Sequence, residues 1–355
     1  MIGLSLNFLS QALCTFSIIG LIKKDYPKIK IVLGGGLVTS WIKRPRWKNP
    51  FEGLVDHLIP GPGEIPLLSL LGVESLTREN HYTPDYTLLP TKSYFAPEPI
   101  LPYSSSSGCY WNGCSFCPER AEGNPYIPVP VETGIADLLH LVDKQKPVLI
   151  HLLDNAISPS MMKAIIKHPP GAPWYGFARV TRHLTDLDFC LALRRSGCVM
   201  LKLGLESGDQ KVLDSLQKGI DLEEASSILK NLKKAGIATY IYFLFGTPPE
   251  GLIEARRTLE FVVKHHDSIG FLNLAIFNMP IYSPEAQQVE TESFYEGDLS
   301  LYTGFDHPKG WNRLLIRQFL DKEFKRHPTI APILRRDPPV FTSNHAPFFV
   351  MGKDW

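Results

Sequence analysis

The sequence lacks the features that would assign it to nucleic acid, to a membrane or to a disulfide-stapled fold. Its 37 basic and 36 acidic residues are interspersed and leave a net charge of +1, so charge gives no evidence for a nucleic-acid partner. Six cysteines spread over 355 residues do not suggest a disulfide framework. Internal repeats and low-complexity segments are also missing. These absences favour an ordinary globular protein with a sizeable core.

The most apolar stretch, residues 1–22, also lacks the marks of a targeting segment. It has no basic start, and it contains the polar residues Ser5, Asn7, Ser10 and Gln11. We therefore predict neither a signal peptide nor a membrane partner. A cytoplasmic, reducing location follows as an expectation.

Three cysteines in one short loop are the most informative feature of the chain. Cys109, Cys114 and Cys117 have the spacing C-x4-C-x2-C, and Gly108 and Gly113 beside them can take backbone angles that turn the sulfurs inward. A cubane iron–sulfur cluster bound by three thiolates keeps one iron open to a non-protein ligand. A zinc site completed by a distant histidine and a disulfide knot are the alternatives.

The first part of the chain alternates short apolar runs with glycine turns. Strands are predicted at 2–6, 29–33 and 53–59, and a helix at 9–24. Gly34, Gly35 and Gly36 follow the second strand. These glycines either leave space for a ligand at the strand ends or only make tight turns.

From residue 103 onward, strands alternate with helices of ordinary length. Six such β/α units form an open partial barrel, with the loops after the strands gathered at one face. The sequence therefore predicts an α/β fold, a partial (β/α)6 TIM-type barrel preceded by a truncated Rossmann-like α/β segment. The predicted regions are 1–75, the α/β segment; 76–102, a linker; 103–285, the barrel; and 286–355, a helical and extended cap.

Polar residues follow several of the predicted barrel strands directly. Asp154 ends the second strand, Arg179 the third, and Glu206 with Ser207 the fourth. Because reactive groups belong at the carboxyl ends of parallel strands, these four are candidates for contact with a charged ligand. The alternative for Arg179 and Glu206 is an ion pair across the mouth of the barrel.

The loop and the strand signatures together resemble the radical S-adenosylmethionine (radical SAM) superfamily. Phe116 precedes the third cysteine as in that family, although the first gap is one residue longer than its usual C-x3-C-x2-C. Residues 202–209, Lys-Leu-Gly-Leu-Glu-Ser-Gly-Asp, resemble its fourth strand, and residues 236–250 resemble its fifth strand, with Pro249 where glycine is frequent. The resemblance covers about residues 100–285.

This resemblance implies a [4Fe–4S] cluster and S-adenosylmethionine as cofactors, with an external one-electron donor such as flavodoxin or ferredoxin. The implied reaction is reductive cleavage of S-adenosylmethionine to a 5′-deoxyadenosyl radical, which abstracts hydrogen from a substrate that the sequence does not identify. No catalytic base or nucleophile is assigned. The implied cluster ligands are Cys109, Cys114 and Cys117, and the implied cofactor-binding residues are Phe116, Asp154, Arg179, Glu206 and Ser207.

The first segment resembles the latter half of a cobalamin-binding domain, in Gly3-Leu-Ser5, the turn after residue 33 and Gly61-Pro-Gly-Glu64. The first strands of that domain and its Asp-x-His-x-x-Gly segment have no counterpart, so cobalamin is an open alternative among the cofactors. A cobalamin-dependent methyltransferase or a methylthiotransferase-like enzyme is the second hypothesis. A non-catalytic iron–sulfur carrier or a zinc-binding module is the third.

Two further predictions concern isolated residues. Cys14, Cys190 and Cys198 form no second close pair and are predicted to be small core residues. His345 and Asn344 lie in an extended aromatic segment that could cover the open side of the barrel. We predict that His345 is a packed histidine and not a catalytic one.

Overall fold

The computed structural model describes residues 1–44, 47–73, 81–89, 98–281, 283–292 and 299–336. Their contacts divide them into two compact units. The first unit contains the described residues of 1–83 and 292–303, and the second contains those of 84–291 and of 304 onward. The predicted boundaries at residues 75, 102 and 285 stay predictions, and the contacts add a short excursion of the chain back into the first unit.

The strands and helices alternate along most of the chain. The strands are β1 (Ile2–Ser5), β2 (Ile31–Gly34), β3 (His57–Ile59), β4 (Ile100–Tyr103), β5 (Ser106–Ser107), β6 (Ile127–Pro128), β7 (Leu149–Leu152), β8 (Trp174–Ala178), β9 (Cys198–Glu206), β10 (Ala238–Phe245), β11 (Phe271–Ile276), β12 (Met279–Pro280) and β13 (Tyr302–Thr303). The helices are α1 (Leu9–Asp25), α2 (Gly36–Ile42), α3 (Glu64–Leu70), α4 (Pro118–Ala121), α5 (Val131–Gln145), α6 (Pro159–Lys167), α7 (Leu187–Arg195), α8 (Gln210–Ser215), α9 (Leu222–Ala235), α10 (Leu252–His265), α11 (Arg313–Phe319) and α12 (Ala331–Leu334). Short 3-10 turns cover Arg182–Thr185, His266–Ser268 and Glu285–Gln287, and a π-helical turn over Leu320–Phe324 continues α11.

Six parallel strands form the main sheet of the second unit, in the order β11-β10-β9-β8-β7-β4. The short strands β5 and β6 lie between β4 and β7 in the chain. From β7 to β11 neighbouring strands are also consecutive in the chain, and a helix connects each successive pair. Parallel strands need such crossovers, which are right-handed in nearly all proteins. The predicted α/β fold with a (β/α)6 sheet is confirmed.

The two faces of this sheet carry different side chains. On one face Leu201, Leu203 and Leu205 of β9 join the large hydrophobic core that also contains Ile228 and Leu232 of α9. The other face carries a smaller cluster of buried side chains: Leu149, Tyr175, Met200, Tyr240 and Phe271. Because side chains alternate along a strand, helices cover the first face and the second is the concave face of the partial barrel.

A three-stranded parallel sheet, in the order β1-β2-β3, forms the centre of the first unit. Gly35 has a φ of 103°, and a Cβ there would lie 2.5 Å from the carbonyl oxygen of Leu6. This glycine therefore permits the tight turn from β2 into α2. The excursion of the chain belongs to the same unit, since Trp41 Nε1 donates a hydrogen bond of 2.7 Å to the carbonyl of Leu299.

The structure corrects one of the cysteine predictions. Cys190 and Cys198 are buried, as predicted, but Cys14 is exposed. Cys14 precedes the fully buried Ile19 of α1 by five positions, which is about 140° around the helix. It therefore lies on the side of α1 away from the core.

Two other predictions concern the extended aromatic segment and membrane-spanning helices. The extended segment with Asn344 and His345 lies outside the described residues. Among the helices that the structure describes, none combines the length and the apolar character that a bilayer crossing requires.

The turn after β10 encloses a carboxyl group. Glu250 is completely buried, and it accepts a hydrogen bond from the backbone N–H of Gly246. Burial raises the pKa of Glu250 to about 8, although the Gly246 N–H acts in the opposite direction. The carboxyl is therefore mainly protonated at neutral pH. Its hydrogen bond with Gly246 stabilises the turn at the end of β10, the fifth barrel strand.

This carboxyl should make the stability of the protein depend on pH. The folded state keeps the proton up to about pH 8, while the unfolded chain loses it near the ordinary value of 4.5, so the free energy of unfolding falls as pH rises between these values. The contribution is at most about 1.4 kcal/mol per pH unit. Urea unfolding of wild type and Glu250→Gln across this window should show a flatter dependence for the variant.

The exposed Glu260 of α10 provides the matched control. Glu260→Gln should follow the wild-type pH dependence. Parallel curves for wild type and Glu250→Gln would contradict the raised pKa.

Candidate functional site

The cysteine loop follows β4 and lies against the turn that links α8 to α9. The backbone N–H of Ser115 donates a 3.0 Å hydrogen bond to the carbonyl of Leu216. Arg120 donates to the carbonyl of Gly113 within the loop and to the side chain of Gln217 in the turn. These contacts fix the loop to a second segment of the barrel, about one hundred residues further along the chain.

The indole of Trp111 fills a slot between two glycines. A Cβ on Gly113 would lie 2.6 Å from Trp111 Nε1, and a Cβ on Gly219, where φ is 65°, would overlap the six-membered ring. The guanidinium of Arg179 stacks on the same indole, with its Cζ atom 4.2 Å from the centre of the Trp111 ring. The two glycines and the arginine therefore hold one aromatic ring in place.

Arg179, at the carboxyl end of β8, is the buried cation of the site. Its NH2 group donates a 2.6 Å hydrogen bond to the carbonyl of Lys218, and its NH1 group lies 3.8 Å from the sulfur of Cys114. Only 7% of the residue is exposed. This cation therefore lies next to one of the three predicted cluster ligands.

Glu206, at the end of β9, forms an ion pair with Lys218. Lys218 Nζ lies 2.8 Å from Glu206 Oε1, and both side chains are largely buried. The same ammonium lies 5.5 Å from the centre of the Phe116 ring, next to the third cysteine. The predicted alternative, an ion pair of Glu206 with Arg179, is therefore not the arrangement in this structure.

Asp154 and Ser207 have partners of their own within the protein. Asp154 accepts hydrogen bonds of 2.6 to 3.1 Å from the Ser105 N–H and from the hydroxyls of Ser105 and Ser106. The hydroxyl of Ser207 accepts from the backbone N–H of Asp209 and contacts Thr258. Asp154 therefore stabilises the segment after β4, and Ser207 stabilises the loop after β9. Their contacts with a cofactor stay predictions.

The structure brings Phe116, Arg179 and Glu206 into contact with Lys218, and Arg179 in turn contacts Cys114. Cys109 and Cys117 are half-buried in the same loop, and burial raises the pKa of the Cys117 thiol. Trp111 and Lys218 were missed as site residues. The glycines at 113 and 219 are the sequence signal for Trp111, while Lys218 is recognisable only once Glu206 is known to face it.

The loop suits an iron–sulfur cluster by the chemistry of its donors. Three thiols, a buried guanidinium at Cys114 and two glycines that admit close backbone approach fit an anionic cluster with three protein ligands. Within the described residues, no three His, Cys, Asp or Glu side chains are arranged as a metal site. The assignment of the three cysteines as ligands therefore stays a prediction.

A cleft of about 520 Å³ borders the site on its outer side. Tyr110, Trp111, Arg179 and Gly219 line one part of it, and Gln210 and Glu224 line another. Its volume is in the range of small-molecule sites. The cleft makes the Trp111–Arg179 stack accessible from solvent.

Comparison with known proteins shows what this region is similar to. The family model described as the radical SAM superfamily matches residues 103–262. An uncharacterised methyltransferase of Pyrococcus horikoshii is 28% identical over 189 residues, which are 51% of this chain and 40% of that protein. An anaerobic magnesium-protoporphyrin IX monomethyl ester cyclase of Rubrivivax gelatinosus is 27% identical over 190 residues, 50% of this chain and 33% of that protein. The chain thus spans less than half the length of these curated relatives.

A solved structure extends the fold comparison along most of the chain. The cobalamin-dependent S-adenosylmethionine radical enzyme OxsB, with aqua-cobalamin bound, matches with a TM-score of 0.68 and 16% identity. The match covers 91% of this chain and 59% of that chain. At this identity the likeness shows a shared fold.

The glycine slot for Trp111 leads to a prediction. Gly219→Ala would place a methyl group against the indole. We expect the free energy of unfolding to fall by about 1–3 kcal/mol beyond the cost of the left-handed backbone. We also expect less iron bound per chain after reconstitution. Gly310 is the matched control, because its φ is 64° and no atom lies within 4 Å of a Cβ there. Equal unfolding midpoints and equal iron content for Gly219→Ala and Gly310→Ala would contradict the role of the slot.

Proposed function

Because the radical SAM family model matches residues 103–262, we propose that this chain cleaves S-adenosylmethionine reductively and abstracts hydrogen from a substrate. Cys109, Cys114 and Cys117 would hold a [4Fe–4S] cluster. When bound, the cluster supplies the electron that converts S-adenosylmethionine to methionine and a 5′-deoxyadenosyl radical. An external one-electron donor such as flavodoxin or ferredoxin, and a cytoplasmic location, belong to the same proposal.

The observation that carries the proposal is the meeting of the cysteine loop with the Glu206–Lys218 pair. Two separate strand ends, those of β4 and β9, deliver thiols and a carboxylate to one place, and Arg179 of β8 links them. Convergence of such groups at the carboxyl ends of parallel strands is typical of active sites in barrels. An iron–sulfur carrier or a zinc-binding module has no evident use for it.

The chain's own residues would orient the cofactor. Glu206 carries a carboxylate that can accept hydrogen bonds from ribose hydroxyls, and Lys218 holds that carboxylate in place. The NH1 group of Arg179 faces Cys114, and its charge would offset the negative charge of thiolate ligands. Asp154 and Ser207 would contribute by fixing the loops on which these groups lie.

The test is formation of 5′-deoxyadenosine by the anaerobically reconstituted, reduced protein. We expect product from wild type, and loss of both iron and product in Cys114→Ala, because one cluster ligand is gone. The exposed Cys14 gives the control, and Cys14→Ser should keep iron and activity. Zinc in place of iron, or full iron content in Cys114→Ala, would reject the proposal.

A second candidate is cobalamin-dependent methyl transfer. The match to OxsB in its aqua-cobalamin complex covers 91% of this chain, so it extends beyond the residues of the second unit. The relative from Pyrococcus horikoshii is named a methyltransferase. In the first unit, Gly61 follows β3 with a φ of 71° and no atom within 4 Å of a Cβ position. This open strand end can accept part of a large ligand, although no described residue is identified as a cobalt ligand.

Reconstitution with cobalamin separates the two candidates. If this chain binds cobalamin, a corrinoid absorption band should survive desalting. Gly61→Val adds a side chain at the open strand end and should weaken that band. Gly53→Val is the control, since Gly53 has a φ of 82° and open space around it but lies before β3. Absence of the band from the wild-type protein would exclude cobalamin binding by this chain alone.

A further inference from the structure

One buried cation lies deep on the concave face of the sheet and is not used by the proposed chemistry. Lys202, in the middle of β9, is only 3% exposed. It precedes Gly204 and Glu206 along the same strand, so it lies below the strand ends that carry the candidate site. Its neighbours across the sheet are Phe177 of β8 and Tyr240 of β10.

The surroundings of Lys202 are aromatic. Its ammonium lies 5.0 Å from the centre of the Tyr175 ring and 5.1 Å from that of Phe177. Cation–π contacts of this kind stabilise a charge but provide no hydrogen-bond acceptor. In the part of the chain that the structure describes, no carboxylate pairs with Lys202. The described contacts of this ammonium are therefore the faces of these two rings.

Burial in these surroundings lowers the pKa values of both Lys202 and His151. Burial lowers the pKa of Lys202 to about 8, so most of the population stays charged at neutral pH. Burial, and to a smaller extent the charge of Lys202, also lower the pKa of His151 to about 3. His151 is thus neutral and available as a hydrogen-bonding group, stacked on Tyr175 at 4.3 Å between ring centres.

The upper layer of this face is partly open. Four residues of this layer are half-buried, namely His151 of β7, Phe177 of β8, Tyr242 of β10 and Asn273 of β11, whereas Met200 and Phe271 below them are fully enclosed. The rings of Phe177 and Tyr242 lie 5.0 Å apart and tilted by 56°. A flat or apolar group can contact these rings, while an anionic group reaches Lys202.

We propose that this concave face binds the substrate and that Lys202, with His151 beside it, receives an anionic carboxylate or phosphoryl group of that substrate. The proposal rests on the proposed function, since it places the substrate beneath the strand ends where S-adenosylmethionine would bind. It deepens that function by naming the substrate class, an anion with a flat or apolar body. The buried charge is otherwise a cost to the fold, because an unpaired ammonium in a core is unfavourable.

Equilibrium dialysis with small probes tests the subsite on the reconstituted full-length chain. The probes are 2-naphthoate, 2-naphthyl phosphate and the uncharged 2-naphthalenemethanol. We expect wild type to bind at least one anionic probe about tenfold more tightly than the alcohol, as one buried charge-assisted hydrogen bond predicts. The anionic probe that is preferred distinguishes a carboxylate from a phosphoryl substrate.

Variants assign this preference to Lys202. Lys202→Met keeps the length and apolar character of the side chain and should abolish the preference, while Lys202→Arg should retain most of it. Lys230, exposed on α9, gives the charge-matched control, and Lys230→Met should behave as wild type. Circular dichroism and the urea midpoint show whether Lys202→Met is folded. If it is not, the Lys202→Arg result decides.

Three results would overturn the inference. The first is a wild-type protein that binds the alcohol as tightly as the anions, and the second is an anion preference that persists in Lys202→Met. The third is a loss of S-adenosylmethionine binding in Lys202→Met, which would assign the lysine to the carboxylate of that cofactor and leave the proposed function intact. Conversely, an anion preference at Lys202 in a wild-type protein that forms no 5′-deoxyadenosine would contradict the proposed function and still support the subsite.

Discussion

The guanidinium of Arg179 is the contact on which the arrangement of the candidate site depends. It stacks on Trp111 of the cysteine loop, donates to the carbonyl of Lys218 and lies beside the sulfur of Cys114. One buried side chain thereby joins three segments that are far apart in sequence. Its planar shape suits this role, because stacking and directed hydrogen bonds can occur together on one group, which a lysine could not provide.

The residues along β9 arrange charge in layers on the concave face. Lys202 lies lowest, Gly204 leaves a gap above it, and Glu206 with Lys218 closes the top. Any side chain at Gly204 would meet Glu206 Oε1 at 2.6 Å and Lys218 Nζ at 3.2 Å. The absence of a side chain at this one position is therefore what allows the carboxylate to lie inside the barrel mouth.

Much of the second unit was predictable from periodicity, because its helices and strands have strong patterns. The helices at 131–145 and 222–235 and the strands at 174–178 and 238–245 follow the alternation predicted from residue 103 onward. The partners of individual side chains were not predictable in the same way. Asp154 follows a strand as a ligand-binding residue would, yet Ser105 and Ser106, about fifty residues earlier, bind its carboxylate. Such pairings depend on which loops meet in space, and sequence spacing does not encode that directly.

The backbone at Glu206 shows how strain and site position are linked. The register between β9 and β10 shifts by one residue just before Glu206, and Glu206 has a φ of 70°, which is uncommon for a residue with a side chain. Such a conformation costs about 1–2 kcal/mol and persists only where surrounding contacts outweigh it. The ion pair with Lys218 is one such contact, but a buried pair recovers little more than its own desolvation. The strain is therefore better explained by the position it gives to the carboxylate than by any gain in stability.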